Sequence, residues 1–444
     1  MALTESAVEA LEIDAFAANI GDLIFKGTDL YSLFKKRAQV VPVSNVTAAG
    51  GVTRPSFRVP FRVQSGSPII QSTGDNASIG QGTGSLWQSF AVSPVWVQSV
   101  CQISSLAQLA TKGKDRGLVK VQAEELKNAL NSTKQGIEAL MNGDGSGAIT
   151  QIPTTATVSN NSGSGAQTSF ISGLNQVAAF VDQQVVTIFP SEGGTARGNA
   201  TISYIDPVAG TLYFSTVLPA TGGATQTGDF IMVQGAAGSA GSSILGIQAW
   251  DVNSNTGTIG GLNRANFPGR LSCPTINLAG GSITPGVGNR ALVIAQRALG
   301  PDNKLKDAGI FYAGDAQAVA VNNLYTNVQI TGLAGSQVSG DKTPDISKKY
   351  FADTFCGREI TFSSTFLPNR MDLIVPEYWV MGELAELGQY DFGGGNSIVP
   401  VPDTTTTTGT YLQSSMFSYF ACFNLVNSAP RAGLFIQGAA VPTI

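Results

Sequence analysis

The stretch "LVKVQAEELKNALNSTKQGIEALMNGDGSGAI", residues 118–149, decides how the chain is organised. Val119, Ala123, Leu126, Leu130, Thr133, Ile137 and Leu140 recur in it at alternating steps of four and three, the period that lines one face of a helix. The pattern predicts a helix over 118–141, about 36 Å long at ~1.5 Å per residue, with Gly143 placed to end it. Lys120–Glu124 and Lys134–Glu138 are spaced as ion pairs on its wetter side. The repeat barely exceeds three heptads, which favours an amphipathic helix lying on a sheet over a coiled coil. Asn142, Asp144 and Ser146 then have the spacing that opens a calcium loop, but the distal glutamate is missing and the segment reads as a turn.

Upstream of the helix the text is extended. "RPSFRVPFRVQSGSPIIQSTGDNASIGQG" (54–82) and "WQSFAVSPVWVQSVCQIS" (87–104) are two strand-like runs, each interrupted by proline, around a glycine-rich tip. Repeated proline excludes a helix and a central strand, so a long two-stranded arm is predicted. Such an arm cannot bury itself and needs a neighbour. Before it, Val8, Leu11, Ala15 and Ala18 share one helical face, and Leu23, Leu30, Leu33 and Phe34 mark a second helix. The second ends in Lys35, Lys36 and Arg37, cations that suit the negative end of a helix dipole. A solvated helix end is the reading taken there over a nucleic-acid patch.

Downstream, residues 143–257 hold one basic residue, Arg197, against six acidic ones, while 1–142 hold 13 against 11 and 258–444 hold 12 against 13. The middle is therefore a distinct, acidic unit. "VVTIFP", "GNATISYI", "GTLYFSTVLP" and "GDFIMVQG" predict short strands in it, with Asp206–Gly210 as a hairpin loop and Gly228–Asp229 as a turn. Four or five such strands make a small barrel or sandwich, flanked by Gly/Ser tracts at 159–166 and 235–243. "TIGGLNRANFPGRLSCP" (258–274) stands at the downstream edge. A phosphate loop would need a strand before it, a helix after it and a lysine, and none of these is present. It reads as a junction, with Gly260 and Gly261 allowing a tight turn and Arg264 and Arg270 bonding carbonyls or a neighbour's carboxylate. Beyond it, "NRALVIAQRALG" (289–300) is helical, "AGIFYAG" (308–314) a strand, and "DAQAVAVNNLYTNV" (315–328) a helix capped by Asp315. Strand patterns with proline corners follow, so this half is α+β with its own core.

Composition excludes much. The 444 residues include no histidine, which removes Ser-His-Asp and Cys-His catalysis, the HExxH zinc site and most transition-metal chemistry. Neither a GxxxxGK[ST] loop nor a GxSxG elbow occurs. A carboxylate-only hydrolase needs just two acidic side chains across a cleft, yet nothing local marks such a pair. No catalytic, cofactor-binding or metal-ligating residue is assigned. Cys101, Cys273, Cys356 and Cys422 lie far apart with no CxxC spacing, as in a reduced cytosolic protein. The N-terminus is acidic where a secretory signal would be basic and then apolar, and no run of ~18 apolar residues occurs. Charged residues are only 13% of the chain against ~25% in ordinary soluble domains, while apolar residues reach 43%. A surface so poor in charge is expected to be covered by other subunits.

In their order these pieces resemble the major capsid proteins of tailed bacteriophages, of the Hong Kong 97-type fold. "ALMNGDGSGAI" resembles the exit of that family's spine helix, and "ARGNATISYIDPVAGTLYFSTVLP…GDFIMVQG" the β-rich insertion that one subgroup carries. "GIQAWDV…TIGGLNRANFPGRLSC" is similar to the return from that insertion, and "STFLPNRMDLIVPEYW" and "FNLVNSAPRAGLFIQG" to later strands of the subgroup. The specificity lies in five moderate matches in the right order across most of the chain.

The resemblance implies an α+β fold of five parts. These are an N-terminal arm (1–45), an extension loop or E-loop (46–105), the spine helix with the peripheral domain (106–149), the β-rich insertion domain (150–250), and the rest of the peripheral domain with the axial domain (251–444). It implies self-assembly as pentamers and hexamers into an icosahedral shell around double-stranded DNA. Separate scaffolding, portal and decoration proteins are the further partners. With a net charge of −4 the chain is expected to touch DNA weakly and without sequence preference. No membrane is involved; assembly is expected in the host bacterial cytoplasm and residence in the virion. Two features depart from some relatives. There is no long, charged N-terminal extension to act as a fused scaffold, and no lysine between Val63 and Ser99 to cross-link to a neighbour's asparagine. The rival readings are a phage tail-tube or fibre protein, a secreted adhesin, and the carboxylate hydrolase. Neither repeats nor a shaft pattern supports the first, and the missing signal sequence weighs against the second.

Overall fold

The structure, a computed structural model, describes residues 30–42, 44–47, 53–64, 84–104, 121–153, 157–159, 167–169, 177–206, 210–215, 217–236, 238, 241–299, 309–332, 354–390, 398–402 and 411–441. The helical pattern at Val8–Ala18, the Lys120–Glu124 pair, the glycine-rich tip of the arm and the middle of the Asp206–Gly210 loop lie outside these residues.

Helix α1 (Leu30–Arg37) buries Leu30 and Phe34 and ends in its three cations. Helix α2 (Val121–Asn142) is the long helix of the opening stretch. Helix α3 (Ile247–Trp250) is a single turn. Helix α4 (Pro285–Leu299) starts four residues before the apolar pattern, because Pro285 fits the first helical turn, where no N–H partner is needed. Helix α5 (Asp315–Gly332) follows the strand Ile310–Gly314 directly.

Three sheets lie outside the acidic middle. The arm is an antiparallel pair, Thr53–Gln64 with Leu86–Val92, extended at its root by Ser44–Thr47. A five-stranded sheet is built on the long strand Tyr411–Asn427. Val95–Ser104 pairs along one edge of that strand, and Trp379–Gln389 and Ile398–Pro402 along the other. Gln39–Pro42 joins Trp379–Gln389 in parallel. A six-stranded mixed sheet runs Thr275–Asn277, Leu434–Gln437, Met371–Ile374, Ile310–Gly314, Arg358–Ser363, Thr354–Phe355. It packs with α4 and α5 around Phe311, Phe355, Leu373 and Leu434.

The acidic middle forms a seven-stranded antiparallel sheet with its own core of Val186, Ile188, Ile202, Leu212, Phe214 and Ile231. Its strands make one open path from Ala148–Gln151 at one edge to Thr157–Ser159 at the other. Ala148–Gln151 leaves the α2 exit and pairs with the returning strand Phe230–Val233, so the chain enters and leaves this unit at adjacent positions.

Helix α2 departs from the sequence expectation at one face. Glu138, read as the acidic half of an exposed ion pair, is only 3% exposed and accepts a hydrogen bond from the Ser363 hydroxyl at 2.6 Å. Gln135 is buried as well and donates to the carbonyls of Ala178 and Phe180 in the middle unit. The last two turns of α2 are enclosed except at Gly136, by the six-stranded sheet, by the middle unit, and by the core that holds Ile137, Leu140 and Met141. A one-face period cannot report burial contributed by three different neighbours.

Candidate functional site

The segment 258–274 is more than a passage between units. Thr258–Ile259 and Leu262–Asn263 pair as a hairpin whose two loop residues, Gly260 and Gly261, have φ of 54° and 80°. Two consecutive positive φ values define the tight hairpin turn that suits the twist of a two-stranded ribbon. The turn also seats the arm. The Ala91 amide donates to the Gly260 carbonyl at 2.9 Å, and a Cβ on Gly260 would come within 2.9 Å of the Phe90 ring. Phe90 stacks on Phe61 at 4.6 Å and meets Trp250 edge-on at 5.0 Å, while Phe61 meets Phe267 edge-on. The inward residues of the arm, Phe57, Val59, Phe61, Phe90 and Val92, thus join the main core. Sequence reading missed this seat, because the contact joins distant segments.

Below the hairpin lies a buried charged cluster. Arg264 is 4% exposed; its guanidinium donates to the carbonyls of Leu271 and Ala249. The expectation that Arg264 bonds carbonyls is met, and Arg270 stays exposed. Arg370 donates to both carboxylate oxygens of Asp372, at 2.8 and 2.9 Å, and to the Asp251 carbonyl at 3.1 Å. The ring of Phe435 lies 4.6 Å from the same guanidinium. Asp251 is the odd member: it is 1% exposed and neither carboxyl oxygen receives an N–H or O–H donor. Burial first, and the Asp372 charge second, push its carboxyl well above the usual range, against the Arg370 charge and, to a smaller extent, the Cys273 thiol, a weak donor. Cys273 is itself pushed up, by burial and then by the two carboxylates. Among the described residues no group of three or more His, Cys, Asp or Glu is arranged to hold a metal ion, and the four cysteines are free thiols. The cluster reads as a structural lock between α3, the hairpin and the six-stranded sheet. The "NRMD" run, with Arg370 and Asp372 two apart on one strand face amid apolar residues, is the signal that could have revealed it.

Two surfaces are left uncovered among the described residues. On the arm, alternation turns Arg58, Pro60 and Arg62 outward opposite Phe57, Val59 and Phe61. Trp87, 58% exposed, pairs across from Arg62 on the same outer face. On the five-stranded sheet, one face buries Ile103 and Phe417 beneath α2. The other carries Trp96, stacked on Phe420 at 4.8 Å and edge-on to Tyr390, with Val100 54% exposed four residues along. No helix among the described residues is long and apolar enough to cross a membrane.

These elements, a long β arm, a long amphipathic helix and two mixed sheets beside a β-rich middle unit, make an α+β fold, and it is the fold of a phage capsid chain. The chain of the cyanophage A-1(L) capsid asymmetric unit is similar over 96% of each chain, with a TM-score of 0.52 and 11% identity. A chain from the capsid of a native GTA particle covers 99% of this one at a TM-score of 0.44 and 11% identity, itself covered in full. A Mycobacterium phage Adephagia chain matches end to end at a TM-score of 0.44 and 8% identity. No family model matches the sequence, and no curated protein matches it.

Proposed function

We propose that the chain is the major shell subunit of a tailed phage, assembling as pentamers and hexamers into an icosahedral capsid that encloses double-stranded DNA. The observation that carries the reading is the arm. It is anchored at its root by the Gly260 turn and Phe90, yet it presents an outer face, Arg58, Arg62 and Trp87, that the described residues leave exposed. A heterologous contact of that kind, repeated around a rotation axis until it closes, makes a ring and then a shell. In this reading residues 1–45 are the N-terminal arm, 46–105 the extension loop lying across an adjacent subunit, and 106–149 the start of the peripheral domain. Residues 150–250 are the insertion domain on the outer surface, and 251–444 complete the peripheral and axial domains. The insertion offers phosphate little, since its single basic residue, Arg197, is committed to Asp229 at 2.7 Å in a buried pair. DNA contact is then weak and independent of sequence. The role is structural, with no catalytic group assigned.

Sedimentation followed by electron microscopy of the purified full chain tests this. Closed shells, or rings of five and six, are the expected result. Tubes, rods or a well-behaved monomer would overturn it and reopen the tail and fibre readings.

A further inference from the structure

Charge in the downstream half of the chain is unevenly spread. Residues 258–299 hold Arg264, Arg270, Arg290 and Arg297 and no lysine, aspartate or glutamate. Residues 411–444 add Arg431 as their only charged side chain. Arg264 is buried on carbonyls; the other four are not. The fold brings their elements together. Thr275–Asn277 and Leu434–Gln437 are parallel neighbours, so the turns leading into them, one with Arg270 and one with Arg431, lie at the same end of the six-stranded sheet. Burial first, and the Arg270 charge second, draw the Arg431 guanidinium below its usual range. Helix α4 packs against the Arg431 turn, with Ala291 and Ala295 in one core with Ala432. Its exposed face carries Asn289, Arg290, Val293, Gln296 and Arg297, which about 3.6 residues per turn place on one side. None of the four guanidiniums has a hydrogen bond or ion pair among the described residues. A second copy of the same half offers few carboxylates to meet them. Asp372 is buried on Arg370, Glu359 pairs with Arg37, Glu383 and Glu386 with Lys35, and Asp315 and Glu377 also have partners.

We propose that Arg270, Arg431, Arg290 and Arg297 are the contact between this chain and duplex DNA, each guanidinium set on a backbone phosphate. The proposal rests on the shell reading above, in which one wall of the shell faces DNA, and it names the residues of that wall. Arg290 and Arg297 are about 10 Å apart along α4 at ~1.5 Å per residue. That is roughly three phosphate steps of one strand at ~3.4 Å each. Charges spread over an exposed helix face and a turn suit a polymer that meets them one by one, whereas a small anion needs donors that converge. Asn289 and Gln296 add neutral donors for phosphate oxygens. Contacts of this kind hold the backbone and read no sequence.

The test titrates short fluorescent duplexes of two unrelated sequences with full-length protein, from about 50 to 200 mM salt. The proteins are the parent, R270Q/R431Q, R290Q/R297Q, R290K/R297K and R58Q/R62Q. Binding by the parent should fall with salt at a log–log slope of about −3.6, from ~0.9 per phosphate and four phosphates, equally for both sequences. Each glutamine pair should lower that slope by about half and weaken low-salt binding about tenfold or more. R290K/R297K keeps the charge and should keep the slope. R58Q/R62Q removes the same charge from the arm and should match the parent. The replaced side chains are unpaired, so melting temperatures should also match. A parent that does not retain duplex at low salt, slopes unchanged in both glutamine pairs, or equal loss in R58Q/R62Q overturns the assignment. So does a raised assembly threshold in R270Q/R431Q with DNA binding intact, the mark of a carboxylate partner in a second copy. Shells formed by the parent in any of these cases keep the shell reading intact. Loss of DNA binding in the glutamine pairs of a chain that forms no shells would sink that reading and leave the phosphate contact standing.

Discussion

At Asp251, burial and the charge of Asp372 raise the carboxyl further than the guanidiniums of Arg370 and Arg264 draw it back. The Asp251 carboxyl is enclosed, without an N–H or O–H donor, in the field of Asp372, whose own ion pair is with Arg370. The folded state therefore holds its proton to a higher pH than the unfolded chain, whose carboxylate titrates near ~3.9. For a group with a raised folded pKa, the folded state binds more protons in the window between the two values. Stability then falls as pH rises through that window. The slope from one proton is about 1.4 kcal/mol per pH unit. Asp251→Asn keeps the shape and removes the titration. Melting temperatures measured from about pH 5 to 8 should fall with pH in the parent and less steeply in the variant, with the variant the more stable at the alkaline end. Identical slopes would show that another group sets the pH dependence. Arg370→Met in the same cluster should behave oppositely, because it strands Asp372 as an uncompensated buried carboxylate. A loss on the order of 3–5 kcal/mol is expected from denaturant titration.

At the scale of elements, the arm stays attached because of two close backbone approaches. One is Gly260 against Phe90. The other is Gly382, on the strand Trp379–Gln389, where a Cβ would fall 2.2 Å from the Phe57 ring. Gly382→Ala must push Phe57 out of the core, at an overpacking cost of about 1–3 kcal/mol. The arm root should loosen before the rest unfolds. Limited proteolysis is expected to cut within 46–105 several times faster than in the parent, while the six-stranded sheet stays protected. Uniform acceleration everywhere would mean that the root is not a separate weak point. The arm and α2 were legible from the sequence for local reasons. Prolines interrupting alternating runs leave only an edge ribbon, and a four–three repeat leaves only a helix. What escaped was non-local. Nothing near Gly382 or Gly260 announces an aromatic ring from the arm, and nothing near Glu138 announces Ser363 above it. The Arg58 and Arg62 alternation was plain in "SFRVPFRV", but its value depended on which of its faces the rest of the fold buries.

At the scale of the whole molecule, the acidic middle is joined to the rest through few structural ties, and that makes its position testable. Its strands share a core of their own, and its entering and returning strands are neighbours, with Phe230 opposite Gln151. A short Gly/Ser bridge from residue 153 to 229 therefore closes the gap without moving α2 or the 258–274 hairpin. The losses are local to that edge: Phe230–Val233 loses its partner strand Val185–Phe189, Ile152 and Ile231 lose their core, Asp229 loses Arg197, and Gln135 forfeits its bonds to Ala178 and Phe180. The Gln135 amide costs about 1 kcal/mol, and each newly exposed isoleucine adds roughly 1.5–3 kcal/mol. The excised protein should fold on the cores of the other sheets, with a melting temperature several degrees below that of the parent. In the shell reading the arm, α2 and both larger sheets are the parts that touch neighbours, so it should also assemble into shells of the same diameter. Averaged electron micrographs should then show density missing from the outer surface alone. Density missing from the inner surface would place the acidic unit against the DNA and reverse the outward assignment. Loss of assembly by a chain that still folds would make the unit part of the subunit contact.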